Sequence, residues 1–174
     1  MLFFRRCINA SVDGVNTVGE HDAVVLQGRE REQALREISE QMDRWKLTLP
    51  EEPPLPLDFG LGKFREIGET EFWIANEVEH GYCGKLLFLF GGQTCPYHEH
   101  RVKHETFFVL KGTIRMRTED GEQTLQQGDR LVMPPGSPHA FQGIGPALVL
   151  EVSMPSIAGD SYFEDRRIGD GGVI

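Results

Sequence analysis

The chain is 174 residues long, 39% hydrophobic and 26% charged, which fits one globular domain with its own core and room for an appendage. Its formal net charge is −9, and its densest basic spots, Arg5-Arg6 and Arg166-Arg167, are too short for a polyanion footprint, which argues against nucleic acid as the main partner. Three widely spaced cysteines, Cys7, Cys83 and Cys95, form no CxxC pair, which argues against a disulfide scaffold and for a reducing cytoplasm.

Residues 1–8 run apolar and then basic, the reverse of a secretory signal. The longest apolar run, 86–90, is far short of the roughly 20 residues that cross a bilayer, so no membrane association is expected. Residues 1–28 show only weak alternation at 22–26, consistent with an added strand or an arm. Over 29–47 the pattern changes: Leu35, Ile38, Met42 and Trp45 recur at spacings of three and four among charged residues. That is an amphipathic helix with one apolar stripe, expected to pack on the body of the protein or across a dimer. Pro50-Glu-Glu-Pro-Pro-Leu-Pro56 ends the helix as a stiff spacer. The chain thus divides into an arm, helix and spacer over 1–57 and a barrel domain over 58–174.

From residue 58 onward the signal is strands and turns. Strands are expected over 71–78, 85–90, 105–110, 113–118, 131–133, 140–142 and 147–152. The 85–90 run is apolar on both faces and therefore interior. Lys111-Gly112 links two strands as a hairpin, and Glu119-Asp-Gly121-Glu is a turn. Many short strands with Gly/Pro punctuation indicate an all-β sandwich or barrel.

Two clusters within this region carry chemistry. His98 and His100 are one residue apart, and side chains at i and i+2 of a strand share a face. The short stretch 101–104 can turn the chain back and bring Glu105 to the same point. His104 competes with Glu105 but, being adjacent, faces the other way. His139 lies in the second cluster, Gly128-Asp-Arg-Leu-Val-Met-Pro-Pro-Gly-Ser-Pro-His139. Three imidazoles and one carboxylate suit a divalent transition metal.

His98-x-His100-x4-Glu105-x6-Gly112 resembles the first cupin motif, and Gly128-x5-Pro134-x-Gly136-x2-His139 resembles the second. The asparagine that closes the second motif is replaced by Gly143; it is not a metal ligand in that family. A narrower resemblance covers roughly 58–168. Asp58-Phe-Gly-Leu-Gly-Lys63, Tyr82-Cys-Gly-Lys85, Gly92-Gln-Thr-Cys-Pro-Tyr-His98 and Lys103-His-Glu105-Thr-Phe are similar to the D-lyxose ketol-isomerases, a cupin family of sugar isomerases. Phe163-Glu-Asp-Arg-Arg-Ile168 is similar to a Phe-x-Asp-Pro-Arg-Ile ending there, with Arg166 in place of proline. The resemblance implies a single cupin barrel with an N-terminal helix and an aldose–ketose isomerase for a lyxose- or mannose-type sugar. It also implies a homodimer and a bound Mn²⁺. The ligand set alone would equally accept Fe²⁺, Co²⁺, Ni²⁺ or Zn²⁺.

Such a reaction moves a proton between C1 and C2 through an enediol, so a base must stand beside the metal. Glu151, a lone charge in the apolar strand 149–153, is the candidate, and burial is expected to raise its pKa into a useful range. Lys85 opens an otherwise apolar strand and can hold a substrate oxygen or act as an acid. Lys103 matches the family's Lys-x-Glu and is the second acid candidate. Asp165 and Arg167 are candidates for closing over the pocket or binding sugar hydroxyls. Cys95 reads as small packing. Two rivals stand beside this reading: an iron-dependent cupin dioxygenase with the same ligands, and a sugar-binding or regulatory cupin without turnover.

Overall fold

The computed structural model describes residues 23–174. Arg5-Arg6, Cys7, Asp22 and most of the expected arm lie outside the described residues. Of the weak alternation at 22–26, what is described is Val25 in a single antiparallel bridge to Leu57. Among the described residues no helix is long and apolar enough to cross a membrane.

Helix α1 spans Gly28–Trp45 and leaves through Lys46, whose left-handed conformation (φ 56°) turns its N–H back to the carbonyls of Asp43 and Met42. Eleven strands follow: β1 (Leu55–Leu57), β2 (Glu69–Glu77), β3 (Tyr82–Leu89), β4 (Thr94–His100), β5 (Glu105–Lys111), β6 (Thr113–Thr118), β7 (Gly121–Gln126), β8 (Arg130–Met133), β9 (His139–Gly143), β10 (Ala147–Ser153) and β11 (Ser161–Phe163). They form a six-stranded sheet, β1-β2-β3-β10-β5-β8, and a five-stranded sheet, β11-β4-β9-β6-β7. All pairings are antiparallel, which is the jelly-roll barrel the sequence leads one to expect. The last residues of the spacer form β1 rather than a bare linker, and β11 carries no signal in the sequence analysis.

Period-two alternation decides what each sheet buries. Leu87 and Leu89 of β3, Phe107 and Val109 of β5, and Val149 of β10 meet Ile114, Met116 and Phe141 of the facing sheet in one core. The opposite face of β2, β3 and β10 presents Phe72, Phe88 and Leu148 to α1, which buries Ile38 and Met42 there. Full burial of each such side chain contributes about 1.5–3 kcal/mol. The apolar stripe of the helix is therefore used within the chain, and the dimer expectation loses that support.

Among the described residues nothing covers the outer face of the six-stranded sheet beyond the reach of α1. Ile74 beside Gly84, then Val152, Thr106 and Val132 in register, form one row across it. Ile74, Val152, Val132 and the nearby Phe108 are 37–55% exposed.

Two glycines explain local choices. Gly112 takes φ 76° in the β5–β6 turn, and a Cβ there would run into Pro146 O and Ala147. At Gly143 a Cβ would meet the carbonyl oxygen of Phe90 at 2.5 Å and that of Gly145 at 2.8 Å, so this chain has no room for the asparagine of the motif.

Candidate metal and acid–base centre

The inner face of the barrel is apolar at its centre and ionisable toward one end. On β4 one extra residue separates the pairs Cys95↔Phe141 and His98↔His139, a β-bulge at Pro96-Tyr97. Pro96 has no N–H to lose there. The bulge resets the face of the strand, so His98 and His100 both point inward beside His139 of β9. Ring centroids are 5.0 Å apart for His98 and His100 and 4.4 Å for His98 and His139.

Each imidazole is oriented the same way. Nδ1 donates to a backbone carbonyl: His98 to Pro96 at 2.7 Å, His100 to Asp160 at 2.9 Å, His139 to Ser137 at 3.0 Å. That fixes the tautomer and turns Nε2 away from the backbone. Burial, the largest cause in all three, pulls each imidazole below its usual pKa, His139 to about 4. The rings are thus neutral at pH 7, as ligands must be. Phe163 of β11 stacks on His98 at 5.1 Å.

The turn 101–104 does return the chain, and Glu105 opens β5 with its carboxylate 3.4 Å from His100 Nε2 and 3.6 Å from His139 Nε2. His104 is exposed. Burial, then the charge of Glu151, raise Glu105 to about 7, against the pull of Lys103.

Glu151 sits directly across from Lys85 in the β3–β10 pair. Its two oxygens lie 3.4 Å from Lys85 Nζ and 3.3 Å from Lys103 Nζ, and Ser153 Oγ donates to it at 2.9 Å. Lys85 reaches on to Glu71 at 2.5 Å, and Lys103 to Glu105 at 2.7 Å. The result is a buried chain of alternating charge, Glu71–Lys85–Glu151–Lys103–Glu105. It corrects the expected pKa of Glu151. Burial does push it up, but Lys85 and Lys103 together with Ser153 win and hold it at about 2.

Glu69 and Glu71 were not anticipated as part of this network. Both are buried on β2, and burial followed by the charge of Glu71 raises Glu69 to about 8. The signal was available: two carboxylates at i and i+2, the same spacing that singles out His98 and His100. Asp165 and Arg167, in contrast, are not brought into the chain of charges. Their hydrogen bonds are to each other, at 2.6–3.2 Å, and the Arg167 side chain is 76% exposed. Cys95 is core packing, as expected.

Whether these residues suit a divalent ion turns on His139 and Glu105. Among the described residues no group of three or more His, Cys, Asp or Glu is set closely enough to hold a metal ion as the side chains stand. Glu105 is engaged by Lys103 at 2.7 Å. The donors nonetheless fit. Three neutral imidazoles converge with their Nδ1 atoms already committed, and His139 Nε2 is buried with no hydrogen-bond partner. An orphaned buried nitrogen costs about 1–3 kcal/mol, which a cation would relieve. Among the described residues, the three buried carboxylates Glu71, Glu105 and Glu151 share the two ammonium groups of Lys85 and Lys103.

Residues 87–153 match the cupin domain family. A D-lyxose/D-mannose isomerase of Thermosediminibacter oceani is 32% identical over 140 residues, covering 64% of this chain and 76% of that protein. A D-lyxose ketol-isomerase of Cohnella laeviribosi is 31% identical over 140 residues, covering 64% and 75%. Among solved structures, the ligand-free L-ribose isomerase of Cellulomonas parahominis superposes with a TM-score of 0.70 at 18% identity, covering 86% of this chain and 97% of that one. At that identity it speaks for the fold.

Proposed function

The chain belongs to the D-lyxose ketol-isomerase family of cupins, and on that premise we propose that it is a metal-dependent aldose–ketose isomerase for a small sugar of the D-lyxose or D-mannose type. The observation that carries the proposal is Glu151, a buried carboxylate held between two ammonium groups next to the His/Glu cluster. A purely structural metal site needs no such neighbour.

His98, His100, Glu105 and His139 would hold the ion, with Mn²⁺ the first choice by family and Fe²⁺, Co²⁺, Ni²⁺ or Zn²⁺ compatible with the donors. Bound there, it would polarise the carbonyl and hydroxyl oxygens of the sugar and stabilise negative charge on them. Glu151 takes the proton from C2 of the aldose; the C–H electrons form the C1=C2 bond of the enediol, and the carbonyl oxygen gains a proton. Return of the proton to C1, with loss of the hydroxyl proton at O2, gives the ketose. Lys103, shared between Glu105 and Glu151, is placed to hold or protonate a sugar oxygen. Lys85 stands behind Glu151 and fixes its position.

The resting pKa of Glu151, about 2, makes it a weak base. An ammonium drawn from Glu151 to a substrate oxygen would leave it with one cation fewer and raise its basicity when it is needed. The charge chain therefore links substrate binding to activation of the base.

A homodimer is part of the proposal, now supported by the uncovered row Ile74, Val152 and Val132 rather than by α1. A cytoplasmic location is supported by two free buried thiols, Cys83 and Cys95. A screen of C5 and C6 aldoses with metal-reconstituted protein, reading ketose formation, tests the function. Oxygen consumption by the Fe²⁺ form without any ketose would favour a dioxygenase instead.

A further inference from the structure

We infer that Asp160 is the positioning residue of the ligand loop: it fixes His100 and Lys103 relative to each other. This rests on the metal-dependent reading above. The loop, residues 101–104, joins β4 to β5 and belongs to neither strand. No sheet ladder therefore sets its conformation. Asp160 does so from outside. Its Oδ1 accepts the backbone N–H of Arg101 at 2.9 Å and of Val102 at 3.0 Å, and its Oδ2 accepts that of Lys103 at 2.9 Å. Its own backbone carbonyl accepts His100 Nδ1 at 2.9 Å.

Four consecutive residues thus answer to one, which is itself 5% exposed. Three N–H groups converging on a carboxylate make an anion nest, and charge-assisted bonds are roughly twice as strong as neutral ones. The two ends of the clamp act on different groups. The carbonyl sets the ring of His100. The carboxylate sets the backbone from which Lys103 reaches Glu105 and Glu151. The clamp is braced in turn: Ser161 is in register with His100, and the N–H groups of Gly159 and Ser161 both donate to Ile174 O. Ile174, at the C-terminus of the sequence, thereby supports the loop from behind Asp160.

The test compares Mn²⁺ binding by wild-type protein and Asp160→Asn, read from the electron paramagnetic resonance signal of free Mn²⁺. The asparagine keeps one acceptor and sets an NH₂ against a backbone N–H. Its affinity should fall about 10–100-fold, the range for residues that orient metal ligands. Val109→Ala, a core change on β5 that lowers stability, should leave the affinity unchanged. Amide exchange supplies a measurement that needs no variant. The Arg101, Val102 and Lys103 amides of the wild type should be protected, although Arg101 and Val102 are exposed residues. Equal Mn²⁺ affinity in Asp160→Asn, or amides that exchange as fast as those of the 119–121 turn, would overturn the clamp while leaving the metal reading standing. Failure of the wild type to bind Mn²⁺ would overturn both.

Discussion

Lys85 and Glu151 face each other as register partners across β3 and β10, yet the shorter contact of Lys85 is with Glu71, at 2.5 Å against 3.4 Å. Its ammonium is thus divided between two buried carboxylates, one of them the proposed base. A buried charge that loses its partner costs about 3–5 kcal/mol.

Lys85→Met should therefore destabilise the protein by about that amount, because Glu71 and Glu151 are left facing each other. Lys85→Met/Glu71→Gln should recover part of the loss. Urea unfolding of the two singles and the double should give a coupling of about 0.5–3 kcal/mol. Strict additivity would mean that the pair contributes nothing specific.

Glu69 predicts a pH dependence. An unfolded glutamate ionises near 4.5, whereas folded Glu69 keeps its proton to about 8. Between those values Glu69 itself is protonated in the native state and ionised in the unfolded one, so its contribution to metal-free stability falls as pH rises and levels off above about 8. The total is on the order of a few kcal/mol. Glu105, raised to about 7, adds a term of the same sign. His139, lowered to about 4, acts oppositely: stability falls as pH drops from about 6.5 toward 4. Glu69→Gln imitates the protonated form. Unfolding midpoints at several pH values between about 7 and 8.5, above the range of the imidazoles, should show a shallower slope in this variant, and an unchanged slope would remove Glu69 from the account.

Metal removal should lower thermal stability reversibly. An ion that binds only the native state at 100 times its Kd contributes about 2.7 kcal/mol. Thermal melts with chelator and with added Mn²⁺ should differ for the wild type and coincide for His98→Ala/His100→Ala. Full metal occupancy in that double variant would contradict the ligand assignment.

The uncovered row predicts association through the outer face of the six-stranded sheet. Val152→Glu places a charge in its middle, on the opposite face of β10 from Glu151. Light scattering should report a dimer for the wild type and a monomer for the variant. A monomeric wild type at micromolar concentration would remove this part of the proposal.

The cluster of His98, His100 and Glu105 was legible because its spacing is local: the two histidines share a strand face, and Glu105 follows one short turn. The barrel was legible from strand length and Gly/Pro punctuation. Charges that only the sheet brings together were harder to see. Glu71 reaches Lys85 across β2 and β3, and Lys103 reaches Glu151 from a loop onto β10. Burial alone predicted a raised pKa for Glu151; the two lysines that reverse it come from residues 48 or more positions away or across a strand pair. Asp160 was missed because its role lies in backbone N–H groups of another segment. The stripe of α1 is a packing face, as its period predicts, but the period alone cannot say whether it packs on its own chain or another.

The most direct measurement is the initial rate of ketose formation from D-lyxose or D-mannose by Mn²⁺-loaded protein, wild type beside Glu151→Gln. The substitution keeps shape and hydrogen bonding but removes the basic oxygen. The account predicts turnover by the wild type and a loss of kcat of about 10²–10⁴-fold in the variant, with metal content unchanged. Near-normal kcat in Glu151→Gln would place the base elsewhere, and a metal-loaded wild type that forms no ketose from any aldose would contradict the proposed function itself.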